Sequence, residues 1–295
     1  MDSVDPAVTA GARVGSALGR AAVGLLVPVA LVALWWWTSR DSDSYLFPPL
    51  GEILESLRDD WFGDRLGSDV APSLRRFGIG FGLAAVLGVA AGTVIGLTPW
   101  LRRATQPVVE LVRSIPAPLL FPIALVLFGI GDGSKVALIV LGAVWPVLLN
   151  TVDGVRGVDP QVLDVARSFR LPARTRLGRV VLPAAGPMIA AGLRIGLSVA
   201  LLLTVVSEMR GGTNGLGFRI RADQRSFDTA SAYAGVLVIG MVGLAVNLLF
   251  VAVERRVMRW HRGARGLLEP DRRPGSDRRP GQAPRPEPTA PEAAP

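Results

Sequence analysis

Long apolar segments alternate with short polar segments along the chain, and most of the polar ones are rich in arginine. Each apolar segment is close to the ~20 residues with which an α-helix crosses a hydrocarbon core of about 30 Å. Six such segments can be delimited, at 21–37, 74–97, 108–130, 136–152, 187–206 and 233–253. The pattern predicts an all-α integral membrane protein with about six transmembrane helices.

Two of these segments need a closer interpretation. The first follows two arginines, as a signal peptide would, but it ends in three tryptophans at 35–37 rather than in a small-residue cleavage site. Because tryptophan favours the membrane–water interface, we interpret 21–37 as a retained helix. Arg113 and three prolines interrupt the third segment, so its first half is expected to be a short interfacial or broken helix.

The distribution of arginine predicts the topology, because cytoplasmic loops of membrane proteins collect positive charge. Segment 38–73 has eight acidic residues and three arginines, whereas 153–186 has six arginines. The N-terminus, the loops 98–106 and 153–186 and the C-terminus are therefore expected in the cytoplasm. The loop after the fifth segment fits this rule less well, because it carries four arginines: Arg210, Arg219, Arg221 and Arg225.

These boundaries predict the organisation of the chain. Residues 1–20 are a cytoplasmic N-terminus, 21–37 the first transmembrane helix, 38–69 an extracytoplasmic loop and 70–260 the main membrane domain. Residues 261–295 are rich in proline, arginine and glutamate. Such a segment buries too little apolar surface to fold, so we expect a disordered cytoplasmic tail.

Composition agrees with a membrane protein and excludes several kinds of site. The chain is 50% hydrophobic and 19% charged, whereas soluble domains have about 25% charged residues. Its net charge of +8 does not indicate a nucleic-acid partner, because the arginines lie between the apolar segments. With no cysteine and only His261 as histidine, we expect neither a metal site nor catalytic residues.

Residues 129–135 look like a phosphate-binding loop at first sight. The pattern requires four residues between the first glycine and the Gly-Lys pair, and this spacing is absent. We interpret the stretch as a tight outer turn, and the chain is predicted to have no ATP site of its own.

Small residues recur every four positions along the second apolar segment. Small residues allow close approach of helix backbones, which supplies much of the packing between helices in lipid. Packing within the bundle is therefore the main interpretation, and a role in a moving interface is the alternative. The glycines of this ridge are Gly80, Gly88, Gly92 and Gly96.

A short helix is predicted within the loop 153–186. Asp159 is a good N-cap, and Pro160 suits the first helical position. The helix should end at about Phe169, because Pro172 disfavours helical backbone in the residue before it. On these grounds it is either a handle for another protein or an ordinary amphipathic interfacial helix.

This loop resembles the EAA loop of binding-protein-dependent ABC importer permeases, and further motifs extend the resemblance over about 70–260. As an ordered set they are similar to the nitrate/sulfonate/taurine branch of that family. The matching segments are 113–118, 128–132, 150–156, 164–170, 180–185, 192–194, 207–209 and 215–217. Two departures are notable: Asp164 and Val165 replace Glu and Ala, and Arg170 stands where the family has glycine. Pro172 could supply the chain break instead, so the helix is expected to persist with altered geometry.

The resemblance implies a type I ABC importer permease fold over 70–260, in the cell membrane of a bacterium. It implies a homodimer that works with two ABC ATPase subunits, which bind the ATP, and with an extracytoplasmic solute-binding protein. Substrate would cross by alternating access, and a small anion such as a sulfonate, taurine or nitrate is favoured. The residues implied for coupling to the ATPase are Asp159, Pro160, Asp164, Ala166, Arg167, Phe169, Arg170 and Pro183.

Four polar residues are candidates for the pathway or its gate, because unpaired polar groups are costly inside a membrane. They are Arg113, Asn150, Ser207 and Glu208. Glu208 is expected to form a gate-stabilising ion pair with Arg210 or Arg219, and substrate contact is the alternative. Asn150 is expected to form an interhelical hydrogen bond. Arg113 either attracts an anion or extends to the cytoplasmic interface.

A different class of function remains open at this point. An ion-gradient-driven secondary transporter or a channel would have the same helices and would need no ATPase. Few acidic residues lie inside the apolar segments, which argues against proton coupling.

Overall fold

A computed structural model describes residues 26–40, 42, 44, 46–61 and 63–258, and these are helical with no β-strand. The helices are connected by short turns, and π-turns at Leu57–Trp61, Leu66–Val70 and Leu177–Val181 extend three of them. The α-helices are α1 (Leu26–Ser39), α2 (Leu50–Ser56), α3 (Ala71–Leu97), α4 (Pro99–Arg113), α5 (Phe121–Phe128), α6 (Asp132–Arg156), α7 (Pro160–Ser168), α8 (Ala173–Arg176), α9 (Leu182–Gly211), α10 (Leu216–Arg225) and α11 (Thr229–Val257).

Within these ranges, four helical stretches are long and apolar enough to cross a membrane. They are Leu66–Leu97, Asp132–Arg156, Ala173–Gly211 and Thr229–Val257. Helix α4 and the helical segment Ala117–Phe128 meet at 88° and make a fifth span if they are counted together. Helix α1 is apolar but shorter than these spans. The predicted start of the first span at residue 21 lies outside the described residues, as do the predicted N-terminus 1–20 and tail 261–295.

The third predicted segment is broken, as its prolines suggested. Its first part belongs to α4, and a 3₁₀ turn at Ala117–Leu120 precedes α5. The predicted loop 98–106 is wrong, because α4 begins at Pro99 and makes most of this stretch helical. Pro99 suits the first turn of a helix. Helix α4 has one polar and one apolar face and no buried residue, so a search for continuous apolar segments did not detect it.

Helix α6 lies between α3 and α9, and small residues bring the three together. A Cβ atom built on Gly80 or Gly88 would lie 2.6 or 2.8 Å from side-chain atoms of Ile139 or Val147 on α6. On the other side of α6, a Cβ at Gly192 would lie 2.7 Å from Asn150 Cβ. The glycine ridge of the second segment therefore contacts α6 directly, and Gly92 and Gly96 continue the same contact.

Gly92→Ala is expected to destabilise the protein by about 1–3 kcal/mol. A Cβ there would lie 2.7 Å from the backbone oxygen of Leu148, which cannot move aside as a side chain can. Gly82→Ala on the same helix is the matched control, because its Cβ meets nothing within 4 Å. Thermal unfolding in detergent measures both, and equal stability of the two variants would contradict the packing argument.

Two further apolar clusters lie near the helix ends. One gathers Trp61, Leu216 and Ile220, with α2 and the first half of α11. The other consists of Val155, Val158, Val181 and Ala185 and supports α7. The chain divides into a unit of residues 1–252 and a second unit of residues 253–295, in which residues 253–257 are helical.

Candidate functional site

The most polar buried part of the described chain surrounds Glu208, in the last turn of α9. Its side chain has no exposed area, and Arg76, in the second turn of α3, is 3% exposed. Arg76 Nη1 donates to Glu208 Oε1 at 2.7 Å. A buried ion pair needs further hydrogen bonds to offset the desolvation of both charges, so the remaining partners of the two groups matter.

Groups from two other segments complete the coordination of the Glu208 carboxylate. Ser73 Oγ lies 2.8 Å from both carboxylate oxygens, and the N–H of Gly217 donates to Oε2 at 3.1 Å. The N–H groups of Gly215 and Leu216, beside it, donate to Asp69 Oδ1 and Ser73 Oγ. The first N–H groups of a helix have no partner within it, so side chains of the π-turn Leu66–Val70, of α3 and of α9 cap the start of α10.

The turn before α10 can approach Glu208 only because it is rich in glycine. Gly215 has φ = +113°, a conformation that L-residues with a side chain rarely adopt. A Cβ there would lie 2.4 Å from Glu208 Cδ, and a Cβ at Gly217 would lie 2.2 Å from the backbone oxygen of Val205. Of the glycines in this predicted motif, Gly215 is therefore required by close contact with the Glu208 carboxylate and Gly217 by close contact with the backbone of α9.

Helix α6 joins this cluster through its first turn. Arg76 Nε donates to Asp132 Oδ1 at 2.6 Å, and Arg75 also pairs with Asp132. Lys135 is buried, with its Nζ 3.8 Å from the same oxygen. A carboxylate in the first turn of α6 is favoured by the helix dipole. The set Asp69, Ser73, Arg76, Asp132, Lys135 and Glu208, hereafter the Glu208 network, ties α3, α6, α9 and α10 at one end of the bundle.

The expected partner of Glu208 is wrong. Arg219 pairs with Asp223 at 3.1 Å instead, and Arg210 has no hydrogen bond or ion pair within the described residues. Burial raises the pKa of the Asp223 carboxyl, and Arg219 beside it opposes this effect. The true partner Arg76 lies 132 positions away. An arginine pair near the start of an otherwise apolar segment was the signal in the sequence that could have found it.

The other pathway candidates lie apart from the Glu208 carboxylate. Ser207 Oγ donates to the carbonyl of Thr204 in its own helix, and the Asn150 amide donates to the carbonyl of Pro146 instead of to another helix. Arg113 is exposed and lines a cavity of about 200 Å³ with Arg102, Glu110, Asp153 and Arg156, among others.

The predicted coupling helix is present as α7 and ends one residue earlier than expected. The Gln161 N–H donates to Asp159 Oδ1 at 2.8 Å, which caps the helix, and Pro160 takes the first helical position. Asp164 and Arg167 form an exposed ion pair at 2.7 Å. Ala166 is buried against the body of the protein.

One face of α7 is apolar and uncovered in this chain. Val162 is 45%, Val165 56% and Phe169 75% exposed. Since the neighbouring face already packs through Ala166 and Leu163 on the cluster around Val158, this exposed stripe is not needed to hold α7 in place.

Arg170, which stands where the family has glycine, adopts the left-handed backbone conformation that glycine favours. Arg170 has φ = +52°. Its N–H donates to the carbonyl of Arg167, and the N–H of Leu171 donates to the carbonyl of Ala166. This is a Schellman motif, which requires left-handed backbone just after the helix. The turn is therefore made by Arg170 itself, with Pro172 starting the next segment.

Arg170→Gly is expected to stabilise the end of α7 by about 1 kcal/mol, because left-handed backbone costs an L-residue ~1–2 kcal/mol and glycine nothing. Arg167→Gly, inside the helix, is the control and should destabilise it by about 1 kcal/mol. Hydrogen exchange of the amides in 160–171 measures both. Slower exchange in the first variant and faster exchange in the second is the expected pair of results.

Pro183 lies in the first turn of α9, directly after the π-turn Leu177–Val181. Proline lacks an N–H and cannot make the normal helical hydrogen bond, and a widened turn before it accommodates this loss. In the described ranges, no group of three or more His, Cys, Asp or Glu side chains is placed to hold a metal ion.

Comparison with known proteins agrees with this geometry. The family described as "Binding-protein-dependent transport system inner membrane component" matches residues 84–259. The taurine transport system permease TauC of Escherichia coli (strain K12) is 32% identical, over 79% of this chain and 88% of its own length. The nitrate import permease NrtB of Leptolyngbya laminosa is 29% identical, over 86% and 93%.

A solved structure extends the likeness to the fold. An inward-facing structure of the MetNI methionine ABC transporter matches with a TM-score of 0.53 and 19% identity, covering 65% of this chain and 93% of that one. With the helical spans and the family match together, the predicted type I permease fold is confirmed. The chain therefore belongs to the family of binding-protein-dependent transport system inner membrane components, and it is a multi-pass permease subunit of a bacterial ABC importer.

Proposed function

We propose that two copies of this chain form the path by which a small anion crosses the membrane, driven by two separate ATPase subunits. ATP binds and is hydrolysed on those subunits, and an extracytoplasmic binding protein delivers the solute. The permease domain is residues 70–260, with the N-terminus, the α7 loop and the C-terminus in the cytoplasm.

The exposed apolar stripe of α7 carries this proposal. Val162, Val165 and Phe169 lie on one face of a capped helix between two spans. Arg-rich flanks favour the cytoplasmic side for this helix, where an ATPase would lie. An amphipathic helix laid into an apolar groove is a common mode of recognition. Movement of such a groove on ATP binding would be transmitted through Ala166 to the body of the protein.

The Glu208 network suits the role of an outer gate. It joins the ends of α3, α6 and α9 on the side opposite α7. Alternating access requires that the two ends of the path open in turn. A network of directional hydrogen bonds has distinct made and broken states, so it can hold one end shut and release it as a unit. Ser207 and Asn150 would serve helix packing in this scheme, and Arg113 remains a candidate for the cytoplasmic end of the path.

A sulfonate, taurine or nitrate is the proposed substrate class. Relatives of similar length carry the names of taurine and nitrate transport systems. Affinity and selection would lie mainly on the binding protein, which is a different chain.

The test is the mass of the intact complex, purified in mild detergent after co-expression with an ATPase and a binding protein encoded beside this chain. We expect two copies of the chain with two ATPases. A chain that purifies without an ATPase, and that transports in vesicles with an ion gradient but no ATP, would overturn the proposal in favour of a secondary transporter or channel.

A further inference from the structure

A cavity of about 460 Å³ lies between the end of α9 and α10, beside the Glu208 network. Its lining is Val206, Met209, Arg210, Arg221 and Gln224. Two of these five side chains are cationic, none is acidic, and the volume is within the ~300–1,000 Å³ of small-molecule sites. The lining by itself therefore favours an anion.

The two arginines differ in how firmly they are held. Arg221 is half-buried, and its Nη1 donates to the carbonyl of Met209, which orients the guanidinium and leaves other N–H donors available. Arg210 is exposed and has no hydrogen-bond or ion-pair partner among the residues described. One cation is preoriented and the other is free to close over a ligand.

The nearby carboxylates do not neutralise these arginines. Asp223, on the same helix as Arg221, is paired with Arg219 at 3.1 Å and with Arg65 at 3.4 Å. Glu208 is occupied by Arg76. Positive charge in the cavity is thus uncompensated, and it creates a local potential that attracts anions.

The tendency of arginine to gather in cytoplasmic loops does not explain why Arg210 and Arg221 lie at this end of the bundle. Arginine normally gathers in cytoplasmic loops, yet these residues lie at the end of the bundle opposite the Arg-rich α7 loop. Binding of a ligand would account for positive charge retained at this end.

We propose that Arg210, Arg221 and Gln224 form a binding site for a small oxyanion on the extracytoplasmic side of the permease. Guanidinium groups bind sulfonate or phosphate oxygens with paired hydrogen bonds, and the glutamine amide supplies a further donor. This inference rests on the proposed function, in which the site receives an anionic solute released by the binding protein. An anion bridging Arg210 and Arg221 would join α10 to α9 two residues beyond Glu208.

The experiment measures how fast phenylglyoxal modifies individual arginines, read by peptide mass spectrometry. The complete complex is placed in phosphatidylcholine nanodiscs, with ethanesulfonate as the probe and choline chloride at the same ionic strength as the control. We expect ethanesulfonate to slow the labelling of Arg210 at least fivefold and to leave Arg225, on the exposed end of α10, unchanged.

Variants then test the geometry. Arg221→Gln should raise the ethanesulfonate concentration for half-protection of Arg210 about tenfold, the effect of losing one charged hydrogen bond. Arg225→Gln removes the same charge outside the cavity and should leave it unchanged. In Arg210→Gln, the protection of Arg221 by ethanesulfonate is measured, and it should weaken by a similar factor. This variant tests the arginine pair even if Arg221→Gln fails to fold.

Nanodiscs containing phosphatidylglycerol distinguish the source of the oxyanion. Protection of Arg210 there without ethanesulfonate would assign the site to a lipid headgroup, and protection by ethanesulfonate alone would assign it to a free solute. The proposal is overturned if Arg210 is protected in neither case, or if Arg221→Gln leaves the protection as it was. The labelling needs no transport, so its failure is separate from a failure of the subunit composition expected above.

Discussion

Glu208→Gln is expected to destabilise the purified permease by about 3–5 kcal/mol, the usual effect of removing one partner of a buried ion pair. The variant leaves Arg76, which is 3% exposed, with Asp132 as its main remaining counter-charge. It also places an amide where Ser73 and the N–H of Gly217 require acceptors. Unfolding in denaturant, followed by a spectroscopic signal in detergent, measures the loss.

Glu110→Gln is the matched control, because it makes the same chemical change at an exposed residue whose side chain, among the residues that the structure describes, bonds only to Gln106. Its stability should change by less than about 0.5 kcal/mol. A cycle with Arg76→Gln separates the pair from its surroundings, and the double variant should lose less than the sum of the two single ones. If Glu208→Gln were as stable as Glu110→Gln, the network would not hold the helix ends together.

A functional consequence follows if the Glu208 network is the outer gate. Weakening it should allow the ATPase subunits to cycle without a loaded binding protein, so basal ATP hydrolysis of the reconstituted complex should rise in Glu208→Gln. The ratio of stimulated to basal hydrolysis measures this effect. A purely structural role would lower both rates together and leave that ratio unchanged.

Phe169→Asp is expected to reduce ATP-driven uptake at least tenfold while the chain still folds and pairs with its copy. Phe169 is 75% exposed in this chain, so a charge there costs little stability. Buried in an apolar groove of an ATPase, the same carboxylate would lack a partner and weaken the contact by several kcal/mol. Uptake into proteoliposomes, with subunit composition measured on the same sample, tests the prediction.

Ser168→Asp is the control for this variant. It adds the same charge one residue earlier, at an exposed position outside the stripe of Val162, Val165 and Phe169. Uptake should remain within about twofold of the parent. Full uptake by Phe169→Asp would show that α7 is not the coupling element, and equal losses in both variants would indicate a general effect of charge.

The sequence by itself determined the class of protein and much of the local structure. Hydropathy located four long spans, because crossing a membrane depends on ~20 consecutive apolar residues. The first and third of the six predicted spans are instead a shorter apolar helix and a pair of helices that meet at 88°. Asp159 and Pro160 predicted the start of α7, since capping involves only neighbouring residues. The glycine ridge containing Gly88 and Gly92 predicted a close helix contact, although not that α6 is the helix it meets.

Only the tertiary structure decided which distant groups meet. The choice of Arg76 rather than Arg210 or Arg219 as the partner of Glu208 depends on how α3 and α9 pack, and no rule of local spacing contains that information. The left-handed backbone of Arg170 was equally hidden, because an arginine gives no local sign of a conformation that glycine normally adopts. Interactions within one turn of helix can be predicted from the residues that make them, whereas pairings across the bundle are set by packing that the whole chain creates.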